Sequence, residues 1–194
     1  MANEIPDAHV VADAAAWRAW LDDNEATSDG VWLVLAKKGT ERPTSLRYDQ
    51  ALEEALCSGW IDGQRRSRDA TTFLQRFTPR RKASLWSQRN VGLVADLAEQ
   101  GRMRELGRSE IDRAKGDGRW ERAYAGPATI QPPAELLAAL ESSPVAESAF
   151  DALSKSERFA VIHPLVTAPN EATRDRRIAK ALLRLSEGHA RSSE

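Results

Sequence analysis

The chain has 194 residues, of which 41% are hydrophobic and 29% charged, and its formal net charge is −1. This composition is typical of a globular protein and excludes a disordered chain, because a chain this long with so many apolar residues can bury a core. A net charge near zero gives no bulk attraction to nucleic acid or to a membrane. The single cysteine excludes an intramolecular disulfide and favours a reducing compartment.

The N-terminal sequence does not have the basic start and long apolar run of a signal peptide. No window approaches the eighteen consecutive apolar residues that a membrane span requires. We therefore expect a cytoplasmic protein that does not insert into a membrane.

The first 57 residues predict a helix, a strand and a second helix. A helix is expected over residues 13–21, where Asp13 can cap it and the apolar residues recur at i, i+3 and i+4. The β-branched and aromatic run 31–35 predicts a buried strand. Residues 48–57 predict a short helix, which Gly59 ends in a left-handed C-terminal cap.

A β-hairpin is expected next. Residues 60–66 and 71–78 are β-prone, and 67–70 can form the turn that joins them. Pro79 ends the second strand, because a proline has no N–H to donate to the ladder.

The remainder of the chain predicts helices. The expected helices are one near 86–101 capped by Ser84, one at 109–114 after a break at Gly107, and then 133–140, 144–153, 156–162 and a last helix from Asn170 to Gly188. Strands segregated from helices indicate an α+β fold, with a small antiparallel sheet and packed helices followed by an all-helical C-terminal part. The linker signals Gly126-Pro127 and Pro132-Pro133 predict a boundary between 1–126 and 127–194.

The charged residues are unevenly distributed. Residues 1–61 carry a net charge of −6, whereas 62–90 carry +6. The basic segment, residues 62–90, contains eight basic side chains, Arg65, Arg66, Arg68, Arg76, Arg80, Arg81, Lys82 and Arg89. They interleave with Phe73, Phe77 and Trp86 in the segment and with Trp60 just before it. Arginine forks bind phosphate or carboxylate, and neighbouring aromatic rings can stack on a base or sugar. The alternative is a structural hairpin face that pairs with the acidic first third of the chain.

No cofactor or metal site is indicated by motif. The three histidines, His9, His163 and His189, are far apart, and one cysteine cannot form a CxxC pair. The sequence contains neither GxGxxG nor GxxxxGK[ST], so a nucleotide-binding loop of a known type is not expected.

Two residues are candidates for a catalytic or ligand-orienting role: Cys57, just before the basic segment, and Asp62, its first residue. Cys57 could be a nucleophile, since nearby positive charge lowers a thiol pKa, but it has no motif-spaced histidine base, and the favoured interpretation is a small buried hydrophobe. Asp62 could pair with Arg80 or Arg65, orient a ligand, or stabilise a tight turn before Gly63.

Four motifs stand out along the chain: ALCSGWIDG at 55–63, FTPR at 77–80, SLWSQRN at 84–90, and Thr173-Arg174 with Arg177-Ile178. Together they resemble the motifs of the YdeI/OmpD-associated family, also called bacteriocin-protection proteins. The resemblance extends over nearly the whole chain. It implies a small cytoplasmic bacterial protein linked to tolerance of bacteriocins or antimicrobial peptides, with an N-terminal half similar to the α+β domain of YdhG-type proteins. Pro164 and Pro169 depart from the family pattern and predict a shortened or kinked helix there.

The leading hypothesis is a binding module for a small anionic ligand or a peptide, and the sequence does not indicate an oligomeric state. Its candidate ligand-binding residues are Trp60, Asp62, Arg80, Trp86, Ser87 and Asn90. An enzyme of hydrolase type that uses Asp62 or Cys57 is the alternative. Nucleic-acid binding through the basic segment is a second alternative, which the net charge disfavours.

Overall fold

The computed structural model describes residues 7–192, with side chains described up to residue 187. Residues 1–6, which carry part of the signal-peptide expectation, and the His189 side chain lie outside this description. The chain forms two compact units. The first unit comprises the chain up to Ser84 and Asn90–Trp120. The second unit comprises Leu85–Arg89 and the chain from Glu121 onward. The boundary predicted between residues 126 and 127 stays a prediction.

A three-stranded antiparallel sheet lies in the first unit. Its strands are β1 (Val31–Ala36), β2 (Trp60–Ser67) and β3 (Thr72–Pro79), in the order β1-β3-β2. The predicted hairpin and the predicted buried strand are therefore confirmed. Trp60 pairs with Pro79, and a bulge interrupts the β2–β3 ladder between Asp62 and Arg65. Such a bulge bends the strand and redirects its side chains.

Two helices of the first half form where the sequence predicts them. Helix α1 (Ala14–Asn24) is capped by Asp13, whose carboxylate accepts a hydrogen bond from the Ala16 amide at 2.9 Å. Helix α2 (Tyr48–Cys57) is followed by Gly59, which has φ +73°. A left-handed conformation of this kind is the one that glycine adopts at lowest cost.

The next two helices differ from the predicted ones at their starts. Helix α3 (Gln88–Glu99) begins after Trp86, so Ser84 does not cap it. Helix α4 (Glu105–Gly116) begins four residues before the predicted start at Ser109. Gly107 therefore lies inside a helix instead of separating two helices, because its lack of a side chain lets α4 pack against the end of α2.

The core of the first unit contains tryptophans whose polar atoms have partners. Trp17 and Trp60 are almost fully buried. Their indole N–H groups donate to the carbonyl oxygens of Ala51 and Glu25 at 3.1 and 3.2 Å. Trp20 stacks on Trp17 with ring centroids 5.1 Å apart. These rings are packing elements. The Trp17 bond also joins α1 to α2, and the Trp60 bond joins the start of β2 to the end of α1.

The second unit contains α5 (Ala134–Glu141), α6 (Pro144–Ala152), α7 (Lys155–Val166) and α8 (Glu171–Ser192). All four helices were predicted. Their shared apolar core is built from Leu136, Leu140, Ala146, Phe150, Ile162, Leu165, Ile178 and Leu185. The α+β fold class is confirmed by the sheet of the first unit and the helices of the second.

Two helices of the second unit run further than the sequence predicted. Helix α7 continues past Pro164 to Val166, where burial of Leu165 offsets the hydrogen bond that the proline cannot make. It ends before Pro169. Helix α8 continues past Gly188 to Ser192. Within residues 7–192, no helix is both long enough and apolar enough to cross a bilayer.

Candidate functional site

A cavity of about 430 Å³ lies in the first unit, where β2 begins, β3 ends and α4 passes. We call it the Trp60 pocket. It is lined by Glu25, Ala26, Ser28, Ser58, Gly59, Trp60, Pro79, Arg80, Leu106, Ser109, Glu110 and Arg113. Cavities of this size accommodate small organic ligands.

Two close backbone approaches build the pocket wall. The Arg80 amide donates to the Gly59 carbonyl at 3.0 Å, which joins the end of β3 to the start of β2. The Arg104 amide donates to the Cys57 carbonyl at 3.1 Å, which ties the start of α4 to the end of α2. A Cβ on Gly107 would overlap that same carbonyl oxygen, so only glycine permits this packing.

One side of the pocket is rich in arginine. Arg80 is only 6% exposed, while Arg113 reaches the pocket from α4. Glu110 lies beside them and is also buried, but it bonds to Arg113 and to the Arg119 guanidinium, the latter at 3.0 Å. Arg119, which lies outside the pocket, also pairs with Asp117, so the charge on this side comes from two lining arginines and one lining carboxylate.

The other side of the pocket borders a network of ion pairs. Four carboxylates and three arginines take part: Asp22, Glu25, Glu53 and Glu54 with Arg18, Arg102 and Arg104. Their partners lie outside residues 62–90. The expectation that the acidic first third pairs with the basic segment is therefore wrong for these carboxylates.

Serine hydroxyls add donors to the pocket lining. The Ser28 Oγ accepts a hydrogen bond from the Gly30 amide at 3.2 Å, and the Ser58 Oγ accepts one from Arg104. Since each oxygen already accepts a bond, each hydroxyl proton can be donated to a ligand. The Trp60 pocket thus combines hydroxyl donors with guanidinium groups, which together favour an oxyanion.

The six predicted ligand-binding residues occupy different places. Trp60 and Arg80 line the Trp60 pocket. Asp62 lies on β2 and accepts a hydrogen bond from the Tyr48 hydroxyl at 2.8 Å. Asn90 is buried on α3.

The other two predicted residues, Trp86 and Ser87, belong to the second unit. Trp86 is buried, and its carbonyl accepts the Tyr124 amide at 3.0 Å. Ser87 forms a parallel β-bridge with Tyr124. A single binding site made of all six residues stays a prediction.

Several lining residues escaped the sequence reasoning. Glu25, Ser28 and Ser109 carry no motif signal, since they are common polar residues in a turn or on a helix surface. Glu110 and Arg113 did carry a signal, because acidic and basic residues at i and i+3 pair on a helix. The predicted helix over 109–114 already contained both residues, but nothing local in the sequence places this pair beside Trp60 and Arg80.

Cys57 is a packing residue with a protonated thiol. Its side chain is fully buried, and burial, together with the nearby Glu54 charge, raises the pKa of the thiol to about 11. A thiol with that pKa is almost entirely protonated at neutral pH, and only the thiolate is a good nucleophile. The structural interpretation of Cys57 is thus the one that its surroundings favour.

We expect Cys57 in the native protein to resist alkylation by iodoacetamide at pH 7.5. Labelling in a chemical denaturant should be complete and fast, because unfolding removes the burial that protects the thiol. Mass spectrometry of the two reactions measures the difference, which we expect to exceed about 100-fold in rate. Rapid labelling of the folded protein would contradict this account.

Two arginines of the basic segment pack onto aromatic rings of the sheet. The Arg65 guanidinium lies 4.0 Å from the centre of the Phe73 ring, and that of Arg66 lies 4.9 Å from the Trp32 ring. Arg68 contacts its neighbour Asp69 at 3.7 Å. Cation–π contacts of this kind hold Arg65 and Arg66 against the sheet.

No group of three or more side chains that could hold a metal ion occurs among the residues described.

The comparisons with known proteins give two partial family matches. A domain of unknown function, DUF8412, matches residues 9–110, which is more than half of the chain. The chain belongs to the DUF8412 family. This DUF8412 match contains the whole sheet and all of the Trp60 pocket lining except Arg113.

The second match confirms the resemblance noted in the sequence, though over part of the chain. The family described as Bacteriocin-protection, YdeI or OmpD-Associated matches residues 129–188. This range includes Pro164 and Pro169, so these prolines do not abolish the match. The motifs at 55–63, 77–80 and 84–90, in contrast, fall within the DUF8412 match. No curated protein and no solved structure matches the chain.

Proposed function

We propose that this DUF8412 member is a binding module whose Trp60 pocket holds the anionic group of a small ligand or a peptide. We also propose that it acts in the cytoplasm in tolerance of bacteriocins or antimicrobial peptides, as a stress response. The match to the bacteriocin-protection family supports the biological role. The reducing compartment that a single cysteine favours supports the location.

The observation that carries the binding proposal is the arginine side of the pocket. Arg80 and Arg113 both line it and outnumber the one buried carboxylate beside them, Glu110, which pairs with Arg113 and Arg119. Planar guanidinium groups bind carboxylate and phosphate through two parallel hydrogen bonds. An anionic group placed here would also meet the Ser58 and Ser109 hydroxyls.

A binding role is favoured over catalysis by the surroundings of the two candidate catalytic groups. Cys57 is buried with a raised thiol pKa, and Asp62 is hydrogen-bonded to Tyr48. Neither residue lines the Trp60 pocket. Nucleic-acid binding is also less favoured, since Arg65 and Arg66 are held against aromatic rings of the sheet.

A calorimetric titration tests the proposal, after a thermal-shift screen of phosphates, nucleotides, dicarboxylates and cationic peptides has identified the strongest binder. We expect Arg113→Ala to weaken binding of that compound by about tenfold or more, because one charge-assisted hydrogen bond is lost. Arg80→Lys should also weaken it, since lysine keeps the charge but not the fork.

Lys82→Ala is the matched control, because Lys82 is an exposed cation of the same basic segment. It should bind like the parent protein. If Arg113→Ala and Arg80→Lys bind every compound as tightly as the Lys82→Ala control does, the Trp60 pocket is not the binding site.

A further inference from the structure

A second cavity, of about 440 Å³, lies within the second unit, and it is independent of the Trp60 pocket. We call it the Arg174 cavity. Its lining includes Gln88, Tyr124, Thr129, Gln131, Val166 and Arg174. Most of this lining falls within residues 129–188, the part of the chain that matches the bacteriocin-protection family.

Arg174 has a buried donor that the protein does not satisfy. Its Nη1 bonds to Glu135, but its Nε–H is buried and has no hydrogen-bond partner among the described residues. A buried donor without an acceptor costs free energy, so native proteins rarely leave one in place. An acceptor that comes from outside the chain would remove this cost.

The geometry of a guanidinium defines what that acceptor would be. The Nε and Nη2 atoms form the side-on fork that matches the two oxygens of a carboxylate or phosphate. Because Glu135 occupies Nη1, this fork is the edge of Arg174 that remains for a ligand, and a ligand that uses the buried Nε must displace the atoms that cover it. The amide groups of Gln88 and Gln131 and the Thr129 hydroxyl offer further hydrogen bonds around the cavity.

The cavity also has a firm apolar and aromatic side. Val166 and Ala168 line it, and Ala168 is buried. The Tyr124 ring meets the His163 ring edge-on, with centroids 4.4 Å apart, and Phe159 packs against the same histidine at 5.0 Å. This packing holds Tyr124 in position, so the cavity has a preformed wall that could contact the apolar part of a ligand.

We propose that the Arg174 cavity is a binding site for a small oxyanion, a carboxylate or a phosphate attached to a small apolar group, which the Nε–Nη2 edge of Arg174 holds. Carboxylate and phosphate share this recognition chemistry, and the experiment distinguishes them. The proposal does not rest on the function of the Trp60 pocket.

The test is a titration of the full-length ¹⁵N-labelled protein, with separate arms for inorganic phosphate, acetate and butyrate. The signal is the Nε–H resonance of Arg174, assigned by its loss in Arg174→Gln. We expect a saturable shift in at least one arm, and tighter binding of butyrate than of acetate if the apolar wall takes part. Calorimetry of the same compounds gives the affinities.

Three variants make the test decisive. Arg174→Gln should weaken binding by about tenfold or more, whereas Arg184→Gln, an exposed arginine of the same helix, should leave it unchanged. Glu135→Gln keeps the Arg174 fork and removes a neighbouring negative charge that repels an anionic ligand, so it should strengthen binding by a few-fold. This third variant keeps the proposal testable if Arg174→Gln is unstable.

Two results would overturn the proposal. One is the absence of any saturable shift of the Arg174 Nε–H, which would mean that only water satisfies this donor. The other is equal affinity in the parent, Arg174→Gln and Glu135→Gln proteins, which would place the binding elsewhere. The Arg113→Ala variant of the Trp60 pocket should give the same Arg174 response as the parent protein, so failure at one site can be told from failure at the other.

Discussion

Gly107→Ala should lower the free energy of unfolding by on the order of 3 kcal/mol, because the new methyl group has no space. An ideal Cβ at this position would overlap the Cys57 carbonyl oxygen and lie 2.8 Å from the Met103 methyl carbon. The backbone oxygen cannot move without breaking its hydrogen bond from the Arg104 amide. Helix α4 would therefore shift away from α2, and Ser109, Glu110 and Arg113 would shift with it.

The matched control is Gly92→Ala, which makes the same change in the neighbouring helix α3. No atom lies within 4 Å of an ideal Cβ there, and Gly92 is exposed. The control should therefore gain up to about 1 kcal/mol from the higher helix propensity of alanine. Urea unfolding followed by circular dichroism measures both variants, and similar effects in the two would contradict the proposed packing of α4 on α2.

Glu54→Gln should lower the free energy of unfolding by about 3 kcal/mol, because it removes the shared partner of three arginines. The Glu54 carboxylate is largely buried and contacts Arg18, Arg102 and Arg104 at 3.3, 2.6 and 3.4 Å. Arg104 is itself mostly buried, so its charge would lose compensation in a region with little water. An amide cannot replace the charge, although its oxygen can still accept one hydrogen bond.

Asp49→Asn provides the comparison for Glu54→Gln. Asp49 pairs with Arg47 at 3.2 Å, but both side chains are more than half exposed. An exposed pair contributes little, so we expect a change of about 0.5 kcal/mol or less in the same urea experiment. If Glu54→Gln is as mild as Asp49→Asn, then the ion-pair network beside the Trp60 pocket does not hold α1, α2 and α4 together.

The periodic and turn-forming signals in the sequence predicted most of the fold. The hairpin followed from two β-prone runs around a polar turn, and α8 followed from an apolar face that includes Ile178 and Leu185. The start of α4 was placed wrongly, and Ser84 was wrongly assigned as the cap of α3. Glycine normally disfavours a helix interior. At position 107 it is required, because any side chain would overlap the Cys57 carbonyl, 50 positions earlier in the chain.

The candidate site was predictable only in part, for a related reason. Trp60 and Arg80 stood out because they are unusual residues in recognisable motifs, and both line the pocket. Glu25 comes from the end of α1 and Arg113 from α4, and no local pattern links residues so far apart in the chain. Charge counts also misled, because Glu53 and Glu54 pair with Arg102 and Arg104 and not with the basic segment.

The most direct test of the central claim is an amide chemical-shift map of the ¹⁵N-labelled protein with the strongest anionic ligand of the screen. If the Trp60 pocket binds it, the largest saturable shifts should occur at Ser58, Gly59 and Arg80 and along residues 109–113. The same ligand should produce little shift at these positions in Arg113→Ala. Shifts that are largest on the Arg65–Arg66 face of the sheet, or none that saturate at the pocket, would contradict the claim.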